Sequence, residues 1–267
     1  MVLHGLEGSS RSKQVLGLLE AAHRKGWSGV GVNFRSCSGE LNRLRLSYHA
    51  GETSDLGWIL KRLIAEQPER AILLAGLSLG GNVLLKYLGE EGEALASSIQ
   101  AAVAISAPFD LGRSAKHLER GLSRIYMRRL VQSMRRKTLK KLKIYPDLAD
   151  FRKVRRARTL AQFDDAVTAS IHGFQDAQAY WAASSSKSFL TKIRRPTLLI
   201  NARDDPFLPE EALPEAAAAN NQSLTALFTS HGGHIGFLSG NVPGRPIPWA
   251  EIQAITFLEE HLQIQRV

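Results

Sequence analysis

The stretch LLAGLSLGG places a serine where it could act as a nucleophile. Ser78 is the centre of GLSLG, residues 76–80, which follows an apolar run and precedes a segment with helical spacing. On a sharp turn from strand to helix, flanking glycines avoid clashes and the serine hydroxyl projects from the sheet edge. The five residues alone leave two interpretations open: a nucleophile on a strained turn, or a glycine-rich corner that happens to contain a serine.

A serine hydroxyl is a weak nucleophile at neutral pH, so it needs a nearby base and an acid that orients this base. Candidates follow in the order Ser, Asp, His: Asp204 and Asp205 after the strand-like run TLLINA, and His231 and His234 after LTALF. We predict Asp205 as the acid, because Asp205-Pro206 starts the turn, and we expect Asp204 to brace the loop. The glycines before His234 favour it as the base, with His231 in a supporting position in the loop.

Attack by a serine on a substrate carbonyl also needs two N–H groups that bind the developing oxyanion. We predict that one is the backbone N–H of Leu79, directly after the serine, and that the other is the N–H of Leu6 in the loop HGLEG, residues 4–8. Gly5 and Gly8 would let this loop curl towards the substrate. His4 lies at a strand end, where we expect it to orient the loop.

Other reactive residue types receive structural interpretations. Cys37, the single cysteine, has no base near it in the pattern and is expected to be buried. His231 and His234 could suggest zinc, but no further ligand pair has metal-site spacing, so we expect neither a metal nor an organic cofactor. Polar residues after a strand are expected to pair within their own loop (Asn33, Arg35, Glu40, Asn42 and Arg43). Trp181 and its aromatic neighbours are expected to pack in a core, and the role of His49 stays open.

The elements that must position these residues alternate between strands and helices. Strand-like runs are MVLHG, SGVGVNF (a buried strand), AILLAG, AAVAIS, TLLINA and LTALF, and helical periodicity separates most of them. This rhythm predicts one α/β domain over residues 1–267, with a mostly parallel sheet and helices on both faces. A basic, helix-favouring stretch breaks the rhythm, so we predict residues 108–187 as an inserted helical lid.

Charge is concentrated in the same part of the chain. The 267 residues carry a net charge of +10, and residues 112–160 contain 17 Lys or Arg against three acids. This segment is either a solvated surface or a contact for an anionic membrane. Nucleic acid is not expected, because no closely interleaved aromatic residues accompany the charge. The absence of a long apolar run and of a secretion signal favours a cytoplasmic protein, with peripheral contact at the inner membrane face left open.

Taken together, seven blocks resemble the AB hydrolase 4 family, the YheT-like α/β hydrolases: HGLEGSS, GWSGVGVNFRSCSGELNR, YHAGETSDL, GLSLGGNVLLKYLGEE, SAPFDL, INARDDPF and HGGHIGF. The resemblance implies the α/β-hydrolase fold and hydrolysis of carboxylic esters, with relatives acting as esterases, acylglycerol lipases and phospholipases. Carried over to this chain, the nucleophile falls on Ser78, the acid on Asp205 and the base on His234.

One departure from the family concerns the start of the chain. Family members have residues before the HGLEG strand that form opening antiparallel strands, so we expect these strands to be missing or the start codon to be misplaced.

Two alternatives to ester hydrolysis stay open. The same three residues could serve an acyltransferase or a thioesterase, or the chain could be a nonhydrolytic protein that binds lipid or anions through its basic segment.

Overall fold

The computed structural model describes residues 1–240 and 247–262, and its centre is a parallel sheet. The six strands are β1 (Val2–Leu3), β2 (Gly31–Val32), β3 (Ile72–Leu77), β4 (Ile99–Ile105), β5 (Thr197–Ala202) and β6 (Leu224–Thr229). They lie in the order β2-β1-β3-β4-β5-β6, and every neighbouring pair is parallel. A separate antiparallel pair is formed by β7 (Leu238–Ser239) and β8 (Ile247–Pro248).

Helices cover both faces of this sheet. They are α1 (Lys13–Arg24), α2 (Ser54–Glu66), α3 (Leu79–Glu91), α4 (Leu111–Leu118), α5 (Ser123–Leu142), α6 (Phe151–Arg156), α7 (Leu160–Phe163), α8 (Ala169–His172), α9 (Ala177–Ser184), α10 (Glu215–Ala219) and α11 (Trp249–Glu260). Successive side chains of a strand point to opposite faces. Leu74 of β3 accordingly packs in the core that contains α2 and α3, whereas Ala75 packs in the core that contains α1 and α11. The predicted α/β architecture is confirmed.

Most of the strand predictions agree with the structure, and β2 is the exception. SGVGVNF was predicted as a buried strand, but only Gly31 and Val32 are in strand conformation, and both are half-buried. The prediction was wrong because β2 lies at the edge of the sheet, where it pairs with β1 alone. An apolar run does not reveal which strand will be outermost.

A long helical segment joins β4 to β5, and we call residues 106–196 the helical insertion. It contains α4 to α9, and a π-helical turn at Asp164–Thr168 separates α7 from α8. Part of the insertion has its own small apolar core, which includes Met127, Val131, Val154 and Phe163. In the described part of the chain, no helix has the length and apolar character needed to cross a bilayer.

Candidate active site

Ser78 occupies a strained turn between β3 and α3. Its φ of 50° and ψ of −118° lie in a region that residues with side chains rarely adopt. The neighbouring glycines permit the close packing of this turn. A Cβ on Gly76 would lie 2.5 Å from the carbonyl oxygen of Gly80, and a Cβ on Gly80 would lie 2.6 Å from that of His4. The geometry therefore matches the strained turn and not a relaxed glycine-rich corner.

The structure brings Ser78, His234 and Asp205 together in one hydrogen-bonded chain. The Nε2 atom of His234 is 3.0 Å from Oγ of Ser78, and its Nδ1 atom is 2.8 Å from Oδ2 of Asp205. The Asp205 side chain is fully buried, and its Oδ1 accepts a hydrogen bond from the N–H of Phe207 at 2.8 Å. A carboxylate that accepts from Nδ1–H leaves Nε2 free to accept the serine proton. The arrangement can therefore activate Ser78 as a nucleophile.

Asp204 points away from this chain and holds the loop that carries His234. Its Oδ1 accepts the backbone N–H groups of Gly232 and Gly233, each at 2.9 Å. These hydrogen bonds lower the pKa of the Asp204 carboxyl, and the bond from the Gly233 N–H has the largest effect. His231 is exposed and lies 3.3 Å from the Asp204 carboxylate. The predicted bracing role of Asp204 and the loop position of His231 are confirmed.

Ser106 also supports this loop, and the sequence reasoning missed it. It follows β4, has a positive φ of 53°, and its hydroxyl donates to the carbonyl oxygen of His234. The only sequence signal was a serine at a strand end, in the block SAPFDL. That signal could not predict a positive φ, because non-glycine residues rarely adopt one.

The loop after β1 is held against Ser78 by His4. Nε2 of this buried histidine accepts the N–H of Phe34 at 3.2 Å, so its proton must be on Nδ1, which donates to the carbonyl oxygen of Gly5 at 2.7 Å. Burial lowers the pKa of His4, which favours this neutral form. A Cβ on Gly5 would lie 3.2 Å from that of Ser78. The expected structural role of His4 is confirmed.

Leu6 and Leu79 both line the cavity above Ser78. Leu79 is the first residue of α3, and the first N–H groups of a helix have no partner within it. Leu6 follows Gly5 in the loop that touches Ser78. The two backbones are therefore close to where a substrate carbonyl would reach the serine.

The cavity above Ser78 has a volume of about 270 Å³ and mostly apolar walls. From the α/β core it is lined by His234, Leu6 and Leu79, and the helical insertion provides many further lining residues. Those from the insertion include Leu111, Leu118, Met134, Phe163, Val167 and Trp181. The size and apolar character of the cavity suit a hydrocarbon chain attached to a polar reacting group.

One part of the cavity wall is polar, and sequence reasoning missed most of it. Asp164 lies in the π-helical turn, where it accepts hydrogen bonds from the Thr168 hydroxyl at 2.7 Å and from the Trp181 indole at 2.9 Å. Burial raises the pKa of Asp164 to about 6. The His49 and His172 rings lie 4.3 Å apart, and burial lowers the pKa of His49 to about 4. The spacing of residues in the insertion gave no sign of this group.

The polar residues after β2 pair differently from the prediction. Arg35 makes two hydrogen bonds of 2.6 Å to Asp55 of α2, and Asn33 bonds to Ser10, so both reach outside their loop. Asn42 does bond within its loop, to the carbonyl oxygens of residues 44 and 46.

Cys37 is buried, as expected, and burial raises the pKa of its thiol. Across residues 1–240 and 247–262, no three His, Cys, Asp or Glu side chains are grouped as metal ligands.

Comparisons with known proteins agree with this fold. The family model described as "alpha/beta hydrolase fold" matches residues 1–241. The chain is 41% identical to "Putative esterase YheT" of Escherichia coli (strain K12), covering 98% of this chain and 77% of that protein. It is 29% identical to "Phospholipase ABHD3" of Mus musculus, covering 91% and 59% respectively.

A solved structure shows the same fold at low sequence identity. The Pyrococcus furiosus esterase Pf2001 superposes with a TM-score of 0.59 and 16% identity, over 98% of this chain and 82% of that one. The match of residues 1–241 to the family model, together with 41% identity to a relative along nearly the whole chain, confirms the resemblance found in the motifs. The chain belongs to the α/β-hydrolase family.

Proposed function

We propose that the protein is a serine hydrolase that cleaves carboxylic esters through Ser78, His234 and Asp205. The observation that carries the proposal is the hydrogen-bonded chain of these three side chains at a largely apolar cavity. The esterase and phospholipase names of the relatives support the same class of reaction.

In the proposed mechanism, Ser78 Oγ attacks the ester carbonyl while His234 Nε2 accepts the hydroxyl proton. Asp205 holds the imidazole ring and stabilises its charged form. The N–H groups of Leu79 and Leu6 bind the tetrahedral oxyanion. Collapse of this intermediate releases the alcohol, which takes the proton from His234, and leaves an acyl-enzyme. Water, deprotonated by His234, then releases the carboxylic acid and restores the serine.

The cavity supports short- to medium-chain acyl esters or acylglycerols as substrates. Its volume of about 270 Å³ holds a chain of limited length, and its walls come largely from the helical insertion. We therefore propose that residues 108–187 act as a lid that selects the substrate within a single domain of residues 1–267. Esters graded from acetate to palmitate would reveal the preferred chain length.

Peripheral contact with an anionic membrane through residues 112–160 is part of this proposal. Large apolar side chains are exposed near the start of α5, with Leu122 81% and Tyr126 57% exposed, and Arg124 and Arg128 are also exposed there. Apolar and basic side chains together suit the surface of anionic lipid. Vesicles of phosphatidylglycerol should sediment the protein, and binding should weaken as salt rises. Salt-independent binding, or equal binding to phosphatidylcholine vesicles, would contradict the contact.

Hydrolysis of p-nitrophenyl acyl esters tests the proposed function. Ser78→Ala should lower kcat by about 10⁶-fold, because the variant has no nucleophile. Ser97→Ala is the matched control, since Ser97 is exposed and does not line the cavity, and it should keep full activity. Full activity of Ser78→Ala would refute the proposal. Adding ethanol or an acyl-CoA to the assay would reveal acyl transfer or thioester cleavage by the same residues.

A further inference from the structure

A second cavity lies beside the first, and its walls are polar. Its volume is about 730 Å³, and it is lined by residues 7–12, residues 36–41, Asn33 and one side of α5. Glu7 and Lys137 line both cavities, so the two are neighbours. Glu7 directly follows Leu6, which lines the first cavity together with Ser78. A ligand in the second cavity would therefore lie next to the loop that touches the nucleophile.

Basic side chains converge on this second cavity from two segments. Arg136, Lys137 and Lys140 line it from α5 together with Ser133. Their spacing of three and four residues places them on one face of the helix. Arg11 lines the cavity from the loop before α1.

Most of this positive charge has no acidic partner in the part of the chain that the structure describes. Lys137 is the exception, because its ammonium group lies 3.0 Å from the Glu7 carboxylate. Among the described residues, Arg11, Arg136 and Lys140 form no ion pair, and the only other carboxylate on the cavity wall is Glu40. Like charges at positions 136 and 140 of one helix repel each other. An anion between them would relieve this repulsion.

We propose that the second cavity binds an anionic group, best met by a phosphate, on the same amphiphilic ester whose acyl carbonyl reaches Ser78. Guanidinium and ammonium groups bind phosphate oxygens through charge-assisted hydrogen bonds. Several serine hydroxyls on the walls add further donors, among them Ser9, Ser10 and Ser38. The apolar cavity then takes the hydrocarbon part and the basic cavity takes the charged part. This inference rests on the proposed ester hydrolysis and names the substrate class.

Two esters that differ only by a phosphate test the inference. Hexanoylglycerol 3-phosphate and hexanoylglycerol carry the same acyl ester, and short chains keep both in free solution. The wild-type protein should favour the phosphate-bearing ester in kcat/KM by about tenfold or more at low salt. The double variant Arg136→Gln/Lys140→Gln should lose most of that preference.

The matched control is Arg128→Gln/Arg129→Gln. It removes the same charge from the same helix, but its two side chains are exposed and line neither cavity. This control should keep the preference for the phosphate ester. An equal loss in both double variants would overturn the proposal, because general attraction by a basic surface would then explain the preference. The absence of any preference in the wild type would also overturn it.

Calorimetric titration with glycerol 3-phosphate separates this inference from the proposed hydrolysis. The wild-type protein should bind it, and Arg136→Gln/Lys140→Gln should weaken binding by about tenfold. If neither ester is hydrolysed, this binding still tests the anion site, and absence of binding refutes it. Inorganic phosphate that binds as tightly, without any preference between the esters, would identify a free anion as the occupant and refute the substrate assignment.

Discussion

The α/β core and the helical insertion build the two halves of the site in different ways. In the core, Ser78, Asp205 and His234 each follow a strand, and the parallel sheet brings these strand ends to one edge. In the insertion, the residues that line the cavities come from separate helices and a π-helical turn. The sheet thus positions the three side chains, whereas the insertion forms much of the cavity wall above them.

Charge follows the same division. The core site is a hydrogen-bonded chain of Ser78, His234 and Asp205 without a Lys or Arg side chain, and its loop is braced by backbone contacts. The insertion contributes the basic face of α5, which meets the core at the ion pair between Lys137 and Glu7. If the core and the insertion contribute in these different ways, changes in the core should affect catalysis itself. Changes in the insertion should affect the choice of substrate and the pH dependence of stability.

The largest effect should separate the two neighbouring aspartates of the core. Asp205→Asn should lower kcat by about 10⁴-fold, because an amide cannot hold His234 with its proton on Nδ1. Asp204→Asn removes a carboxylate that braces the loop but does not touch His234, so its effect should be much smaller. Steady-state kinetics on one p-nitrophenyl ester would measure both. Equal losses would contradict the distinct positions of the two residues.

A smaller effect should come from Glu7, where core and insertion meet. Its φ of 58° is unusual for a side-chain-bearing residue, and its carboxylate accepts hydrogen bonds from Tyr48, Ser133 and Lys137. Glu7→Gln should disturb the adjacent Leu6 N–H and lower kcat by up to about 10²-fold.

Glu20→Gln is the matched control for this prediction, because Glu20 is an exposed carboxylate of α1. It should leave kcat unchanged. Thermal unfolding should show that Glu7→Gln remains folded. A folded Glu7→Gln variant with the kcat of the wild type would show that the hydrogen bonds of the Glu7 carboxylate do not position the loop.

The smallest effect should be on stability, at Asp164 of the insertion. Its folded-state pKa of about 6 lies above the ordinary value of 3.8, because burial favours the neutral form. Its contribution to stability is therefore full at low pH and is lost as pH rises through about 6. Between about pH 4 and about pH 7 this loss amounts to about 2 kcal/mol of unfolding free energy. Denaturant unfolding of Asp164→Asn should lack this part of the pH dependence, and an unchanged profile would contradict it.

How far the sequence predicts the molecule depends on how local each feature is. Short-range patterns of glycine, proline and strand ends indicated the turn at Ser78 and the preference for Asp205 over Asp204. In the structure Ser78 lies in such a turn, Asp205 contacts His234, and Asp204 contacts the backbone of the loop. The edge position of β2, the brace at Ser106 and the burial of Asp164 depend on packing between distant segments. No periodicity in one sequence carries that information.

Covalent labelling tests the central claim, that Ser78 is an activated nucleophile, most directly. A fluorophosphonate probe reacts with serines whose hydroxyl proton is removed by a neighbouring base. Peptide mass spectrometry should find the adduct on Ser78 in the wild-type protein, much less adduct in His234→Ala, and no adduct at this position in Ser78→Ala. A wild-type protein that stays unlabelled at Ser78, or labelling as fast in His234→Ala, would contradict the account.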